Sequence, residues 1–122
     1  MIVAGSPLAD KIADDFTVHK ISVGDVWHGE AKQALVKLNP CLIISIERPG
    51  ITADGKYRNM RGEDISDRCA NFDQFFQQAN CPTIAIGDGG NEIGMGNVIN
   101  ALADMDIKPL SLIHISEPTR PY

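Results

Sequence analysis

The sequence has few basic residues and no long hydrophobic run, and each shortage excludes a class of protein. Its 122 residues carry 11 Lys and Arg against 16 Asp and Glu, a formal net charge of −5. The basic patch that is typical of a general nucleic-acid binder is therefore missing. The apolar runs are far too short to span a bilayer, so we expect no membrane partner. The first ten residues, MIVAGSPLAD, show no secretory signal.

Cysteine is also scarce. The 3 cysteines, Cys41, Cys69 and Cys81, have no metal-ligand spacing and cannot all pair with one another. Free thiols are typical of a reducing compartment, so we expect a cytoplasmic protein. Cys41 stands among apolar residues, and we expect it to fill a core position, since a free thiol behaves as a small hydrophobe.

What the chain does have is an alternation of apolar, strand-like segments with helical patterns. Strands are predicted over 1–5, 17–23, 41–47 and 83–87, and helices over about 6–16, 26–38, 67–79 and from about 91 onward. A continuous apolar run such as CLIISIE is typical of a strand buried on both faces. The pattern predicts the α/β class, with an open, mainly parallel, Rossmann-like sheet and helices on both faces. In such sheets, ligands bind beyond the carboxyl ends of the strands.

One glycine-rich stretch, GDGGNEIGMG, follows the last of these strands. Its glycines allow positive φ and close approach of a ligand to the main chain. The N–H groups of Gly89 and Gly90 are candidates for stabilising an oxyanion, and Asn91 for capping the next helix. Asp88 and Glu92 would repel a phosphate, so they suit an ammonium group, a metal ion or proton transfer better. A tight turn without a ligand is the alternative.

A loop of about 17 residues follows the strand CLIIS, and loops this long in a compact domain tend to be functional. Glu47 stands at its start. Arg48 and Arg61 can each present a planar fork to a carboxylate, with Asn59 nearby. A solvated loop held by internal pairs of acidic residues and arginines is the alternative.

Both stretches lie at carboxyl ends of predicted strands, so we expect them to face each other across one crevice. This would bring Glu47 and its arginine neighbours opposite Asp88 and Glu92. Glu47, Asp54, Asp88 and Glu92 also form an all-oxygen set suited to Mg²⁺ or Mn²⁺, although their spacing is not diagnostic of a metal site.

Three strings, ISIERPG, ADGKYRNMRGEDIS and IAIGDGGNEIGMGNV, closely resemble signature segments of the D-glutamate cyclase-like C-terminal domain family. The resemblance implies a lyase that converts a small-molecule substrate, D-glutamate, to 5-oxo-D-proline with loss of water, and a mitochondrial location in animal relatives. For this reaction we expect acid and base roles for Glu47, Asp88 and Glu92. We expect substrate binding by Arg48, Asn59, Arg61, Gly89, Gly90 and Asn91. A non-catalytic α/β module that binds an amino acid or a nucleotide is the alternative.

The end of the chain has a different character. Leu110 to Arg120, LSLIHISEPTR, resembles a translated sequencing adapter. We therefore expect a partial D-glutamate cyclase-like domain over 1–109, a non-native tail over 110–122, and native sequence that continues past Pro109. A native strand over the alternating LSLIHIS is the other interpretation.

Overall fold

The computed structural model of the chain describes residues 1–24 and 29–98. None of the helices in these ranges is long and apolar enough to cross a membrane. The elements in chain order are β1 (Ile2–Gly5), α1 (Ser6–Ile12), β2 (Val18–Ile21), α2 (Glu30–Leu38), β3 (Ile43–Ile46), a 3₁₀ turn (Ser66–Arg68), α3 (Asp73–Gln78), β4 (Thr83–Ile86) and a second 3₁₀ turn (Met95–Val98).

The α/β class and the parallel pairing of strands are confirmed. Among the described residues the four strands form two parallel pairs, β1 with β2 and β3 with β4. In the second pair Ile43 lies opposite Thr83 and Ile46 lies opposite Ile86. Because the strands run parallel and in this register, the loop after β3 and the turn after β4 leave the same edge of the sheet.

The residues at the ends of α1 and α2 explain where these helices begin or end. Pro7 lies in the first turn of α1, where its missing N–H costs no hydrogen bond. Helix α2 begins after Gly29 and ends at Asn39, both left-handed. The predicted start of α2, near residue 26, lies outside the described residues. Glu30 accepts hydrogen bonds from the N–H and hydroxyl of Ser22 (3.0 and 2.8 Å), which ties α2 to the end of β2.

The core lies between α2, α3 and the ends of the strands. Its buried members are Ile21, Ala31, Ala34, Ala70, Phe75, Phe76 and Ile93. Burying one such large apolar side chain contributes about 1.5–3 kcal/mol. Ile93 is 1% exposed and directly follows Glu92 in the chain. The turn that carries the second acidic segment is therefore anchored in the core.

The expectation that CLIISIE is buried on both faces is wrong. Successive side chains of a strand point to opposite faces, and here Ser45 is buried while Ile44 and Ile46 are 52% and 62% exposed. Ile84 and Ile86 of β4 are about half exposed on their strand as well. Cys41, which we expected in the core, is exposed too. An apolar run indicates that a strand can be buried, but it does not show which other elements of the chain pack on it.

Two helix predictions also need correction. The helix expected over 67–79 is shorter, since the side-chain oxygen of Asn71 accepts the N–H of Gln74 (3.3 Å) and α3 begins only after Asn71. The helix expected from Asn91 is absent over 91–94. There the chain pairs with the loop after β3 in an antiparallel bridge between Glu92 and Pro49. Residues Met95–Val98 form a 3₁₀ turn, and the rest of that predicted helix and the tail over 110–122 lie outside the described residues.

Candidate active site

Main-chain hydrogen bonds join the turn after β4 to the long loop after β3. The N–H of Gly50 donates to the carbonyl of Asn91, and the N–H of Ile93 donates to the carbonyl of Arg48, both at 2.9 Å. The side-chain amide of Asn91 donates to the carbonyl of Arg58, also at 2.9 Å. The two unusual stretches of the sequence therefore form one structural unit, and Asn91 contributes two of the hydrogen bonds that join them.

This unit brings three acidic side chains together. One carboxylate oxygen from each of Glu47, Asp88 and Glu92 lies within 4.8 Å of the other two. Glu47 and Asp88 are exposed, whereas Glu92 is buried. The expected proximity of the two segments is thus observed, and the acid and base roles of the three residues remain predictions.

Glu92 is the most firmly held of the three. One oxygen, Oε1, accepts the N–H groups of Gly89 (2.7 Å) and Asp88 (3.2 Å). The other, Oε2, is buried and has no hydrogen-bond partner among the described residues. Gly87 makes room for this side chain, because a Cβ at Gly87 would stand 2.6 Å from Cγ of Glu92. One oxygen of Glu92 is therefore fixed to the turn, and the other has no partner among the described residues.

Glu47 sits at the end of β3 in an unusual backbone conformation. Its N–H continues the sheet by donating to the carbonyl of Ile86 (2.8 Å), while its φ is 52°, in the left-handed region. Such a conformation is uncommon for a residue other than glycine, and strained residues of this kind cluster at functional sites. Loss of hydration and the negative charges of Asp88 and Glu92 raise the pKa of the Glu47 carboxyl. Glu47 therefore holds a proton more readily than an isolated glutamate.

The two arginines expected to bind carboxylates differ in what they contact. The guanidinium carbon of Arg48 lies 4.6 Å from the ring centre of Phe72, and its Nε is buried without a partner in the described ranges. Arg61 is exposed, and its side chain forms no hydrogen bond or ion pair among the described residues. Its planar fork is open to a substrate, whereas that of Arg48 is stacked on an aromatic ring.

Asn59 directs its side chain into its own loop. Its Oδ1 accepts the N–H groups of Arg61 (2.9 Å) and Glu63 (3.0 Å), and its amide donates to the Glu63 carboxylate (2.6 Å). These bonds shape the segment that presents Arg61. Substrate binding by Asn59 itself remains a prediction.

The two glycines expected to stabilise an oxyanion are not equivalent. The N–H of Gly89 is directed at Glu92, so it supports that carboxylate. The N–H of Gly90 has no acceptor in the part of the chain that the structure describes, and Gly90 adopts a φ of 84°. Gly90 is thus the better placed of the two to donate to a bound ligand.

Asp54, the fourth acid considered for a metal set, is not part of the acidic cluster. Its carboxylate accepts hydrogen bonds from the Thr52 hydroxyl and from the Arg58 guanidinium (2.8 Å). These two partners lower the pKa of Asp54. Asp54 therefore stabilises the loop internally.

Sequence reasoning missed a buried pair that holds the long loop in place. Asp73, at the start of α3, is 2% exposed and accepts the Tyr57 hydroxyl (2.8 Å) and the N–H of Ile51 (3.2 Å). Burial raises the pKa of both Asp73 and Tyr57. The one signal in the sequence is an acidic residue within the apolar helical stripe NFDQFF.

The loop after β3 and the turn after β4 both lie within the part of the chain that matches a family of known proteins. A family model described as D-glutamate cyclase-like, C-terminal, matches residues 7–111. One curated relative is the human protein named D-glutamate cyclase, mitochondrial, 42% identical over 64 residues, which are 49% of this chain and 10% of the human protein. The match thus spans about a tenth of that relative's length. Because the family model covers most of the chain, including all three clustered acids, this chain belongs to the D-glutamate cyclase-like C-terminal family.

Proposed function

We propose that this chain carries the site of a lyase that closes D-glutamate into 5-oxo-D-proline with loss of water. The observation that supports the proposal most is the meeting of Glu47, Asp88 and Glu92 at one sheet edge in a member of this family. The unbridged thiols of Cys41, Cys69 and Cys81 support the further proposal of a reducing compartment such as the cytoplasm.

The reaction requires both a base and an acid. The ammonium group of glutamate must lose a proton before its nitrogen attacks the γ-carboxyl carbon to form the new C–N bond. After the attack the nitrogen loses a second proton, a C–O bond of that carboxyl group breaks, and the leaving oxygen takes up two protons in all to depart as water. Glu47 and Asp88 lie side by side in the cluster, so one of them is suited to accept a proton from the nitrogen while the other donates one to the leaving oxygen.

Binding must also fold the substrate back on itself, because the amine and the γ-carboxyl group lie at opposite ends of glutamate. We assign the exposed fork of Arg61 to the α-carboxylate. The N–H of Gly90 is assigned to the oxygen that gains negative charge during attack. Arg48 is stacked on Phe72 by the face of its guanidinium, and we assign it no separate part in holding the substrate.

The test compares turnover of D-glutamate by the wild-type protein and by Asp88→Asn and Glu92→Gln, with 5-oxo-D-proline measured by chiral chromatography. We expect each variant to lose at least about 100-fold in rate, the usual contribution of a proton-transferring side chain. The matched control is Asp14→Asn, an exposed acid in the turn between α1 and β2, which should keep full activity. Wild-type rates in both site variants would reject the proton-transfer roles. Binding of D-glutamate without formation of 5-oxoproline would favour the non-catalytic amino-acid module.

A further inference from the structure

We propose that Glu47, Asp88 and Glu92 bind one divalent cation, Mg²⁺ or Mn²⁺, at the edge of the β3–β4 sheet. The inference differs from the four-acid set that the sequence suggests, because Asp54 is held by Thr52 and Arg58 instead. It deepens the proposed function, since the role of the ion in the reaction depends on the lyase activity. Binding of the ion depends only on the carboxylate geometry.

The first argument is electrostatic. Three carboxylate oxygens lie within 4.8 Å of one another. Among the described residues none of the three acids forms an ion pair, and two cations of the loop, Lys56 and Arg58, are paired with Asp64 and Asp54 instead. Carboxylates this close repel one another, and a cation between them converts the repulsion into attraction.

The second argument is independent of the clustering and comes from Glu92 alone. Its side chain is buried, with 6% exposure, and Oε1 is fully engaged by main-chain N–H groups. Oε2 is equally buried but has no donor within the described ranges. A buried carboxylate oxygen without a partner is costly. A metal ion supplies the missing partner where Asp88 and Glu47 supply two further ligands.

The donor atoms decide which ion fits. All three ligands are carboxylate oxygens, and neither histidine nor cysteine belongs to the cluster in the described part of the chain. Oxygen-only sets bind hard cations, and Mg²⁺ or Mn²⁺ accepts a few carboxylates and fills the remaining positions with water or substrate oxygens. Three protein ligands therefore leave room for the γ-carboxylate of a substrate.

An ion at this position would contribute to the proposed reaction by polarising that γ-carboxyl group and by stabilising the negative charge that develops on it. Each acid needs only one oxygen to bind the ion. The second oxygen of Glu47 or Asp88 stays available to accept the ammonium proton. Metal binding and proton transfer are therefore compatible within the same cluster.

The experiment is a titration of the purified chain with MnCl₂, in which electron paramagnetic resonance detects free Mn²⁺. We expect one Mn²⁺ per wild-type chain, and affinities at least about tenfold weaker in Asp88→Asn and in Glu92→Gln. Asp54→Asn and Asp14→Asn are the controls and should bind as the wild type does. Thermal unfolding provides a second readout: MnCl₂ should raise the melting temperature of the wild type and of both controls, but not of the two site variants.

Three results would overturn the proposal. They are the absence of Mn²⁺ binding to the wild type at millimolar concentration, equal affinity in the site variants, and stabilisation by ammonium chloride equal to that by MnCl₂. The lyase function is tested separately. A chain that binds Mn²⁺ but forms no 5-oxo-D-proline contradicts only the proposed function. Undiminished turnover in a chelator, by a chain that binds no Mn²⁺, contradicts only the ion.

Discussion

At the scale of single residues, the site depends on the different surroundings of the two carboxylate oxygens of Glu92. Oε1 accepts hydrogen bonds from the main-chain N–H groups of Asp88 and Gly89, whereas Oε2 is buried without a partner among the described residues. This arrangement requires a glycine at 87, since any Cβ there would occupy the space of the Glu92 side chain. A residue without a side chain thus controls the placement of a functional one.

Gly87→Ala should therefore impair the site while leaving the fold intact. The added methyl group would stand 2.6 Å from Cγ and 2.7 Å from Cβ of Glu92, so the segment of the turn that carries this side chain must shift. We expect Mn²⁺ affinity and turnover of D-glutamate each to fall at least about tenfold. The control is Gly55→Asn, because Gly55 has a φ of 77° in an exposed turn with open space around it, and asparagine tolerates that conformation. Unchanged Mn²⁺ binding in Gly87→Ala would show that Glu92 is not held as described.

At the scale of elements, the β3–β4 pair has two different faces. On one side Ser45 is buried, and Ile93 packs into the core just after the acidic turn. On the other side Ile46 is 62% exposed and Ile86 is 51% exposed. Isoleucines in this small sheet and in the segment that follows it therefore contribute unequally to stability, because only buried positions remove apolar surface from water.

We predict that Ile93→Ala lowers the free energy of unfolding by about 2–5 kcal/mol, the usual cost of emptying a buried isoleucine position. Ile46→Thr should change it by no more than about 0.5 kcal/mol, since its side chain is mostly solvated and threonine suits a strand. Urea denaturation followed by circular dichroism measures both values. A loss at Ile46 as large as that at Ile93 would contradict the exposure of this face.

At the scale of the whole molecule, buried and exposed acids affect the pH dependence of stability in opposite directions. Asp73 is buried, and its pKa is raised above its usual value. Asp64 is held by Ser66 and Lys56, which lower its pKa. The stabilisation from Asp64 is complete above the unfolded pKa near 4 and is lost as the pH falls. The stabilisation from Asp73 is complete below that pKa and is lost as the pH rises through the raised folded value.

The difference between the wild type and Asp73→Asn isolates the buried acid. We expect the unfolding free energy of the wild type to fall relative to that of the variant as the pH rises above about 4, by about 1.4 kcal/mol for each pH unit until the folded pKa is passed. The direction follows because protonated Asp73 is favoured in the folded state by burial. Denaturant titrations at several pH values measure the difference. A difference that is constant across pH would contradict a raised pKa at Asp73.

Much of this protein is determined by local sequence. The β-branched and apolar runs specify the four strands of the described residues to within a few positions, and Pro7 marks where α1 begins. The clustering of the acids was also predictable, because parallel strands bring the segments that follow them to one edge of the sheet. Membership of the family likewise follows from motifs that are contiguous in the chain.

The tertiary structure alone decides which groups are free to act. Only the folded contacts show that the Asp54 carboxylate accepts a hydrogen bond from Arg58 and that the N–H of Gly89 donates to Glu92. They also show that Oε2 of Glu92 has no partner among the described residues. The same holds for the exposed isoleucines of β3 and β4. The physical reason is that backbone preference and hydrophobic period are local properties, whereas burial and hydrogen-bond partners depend on residues distant in the chain.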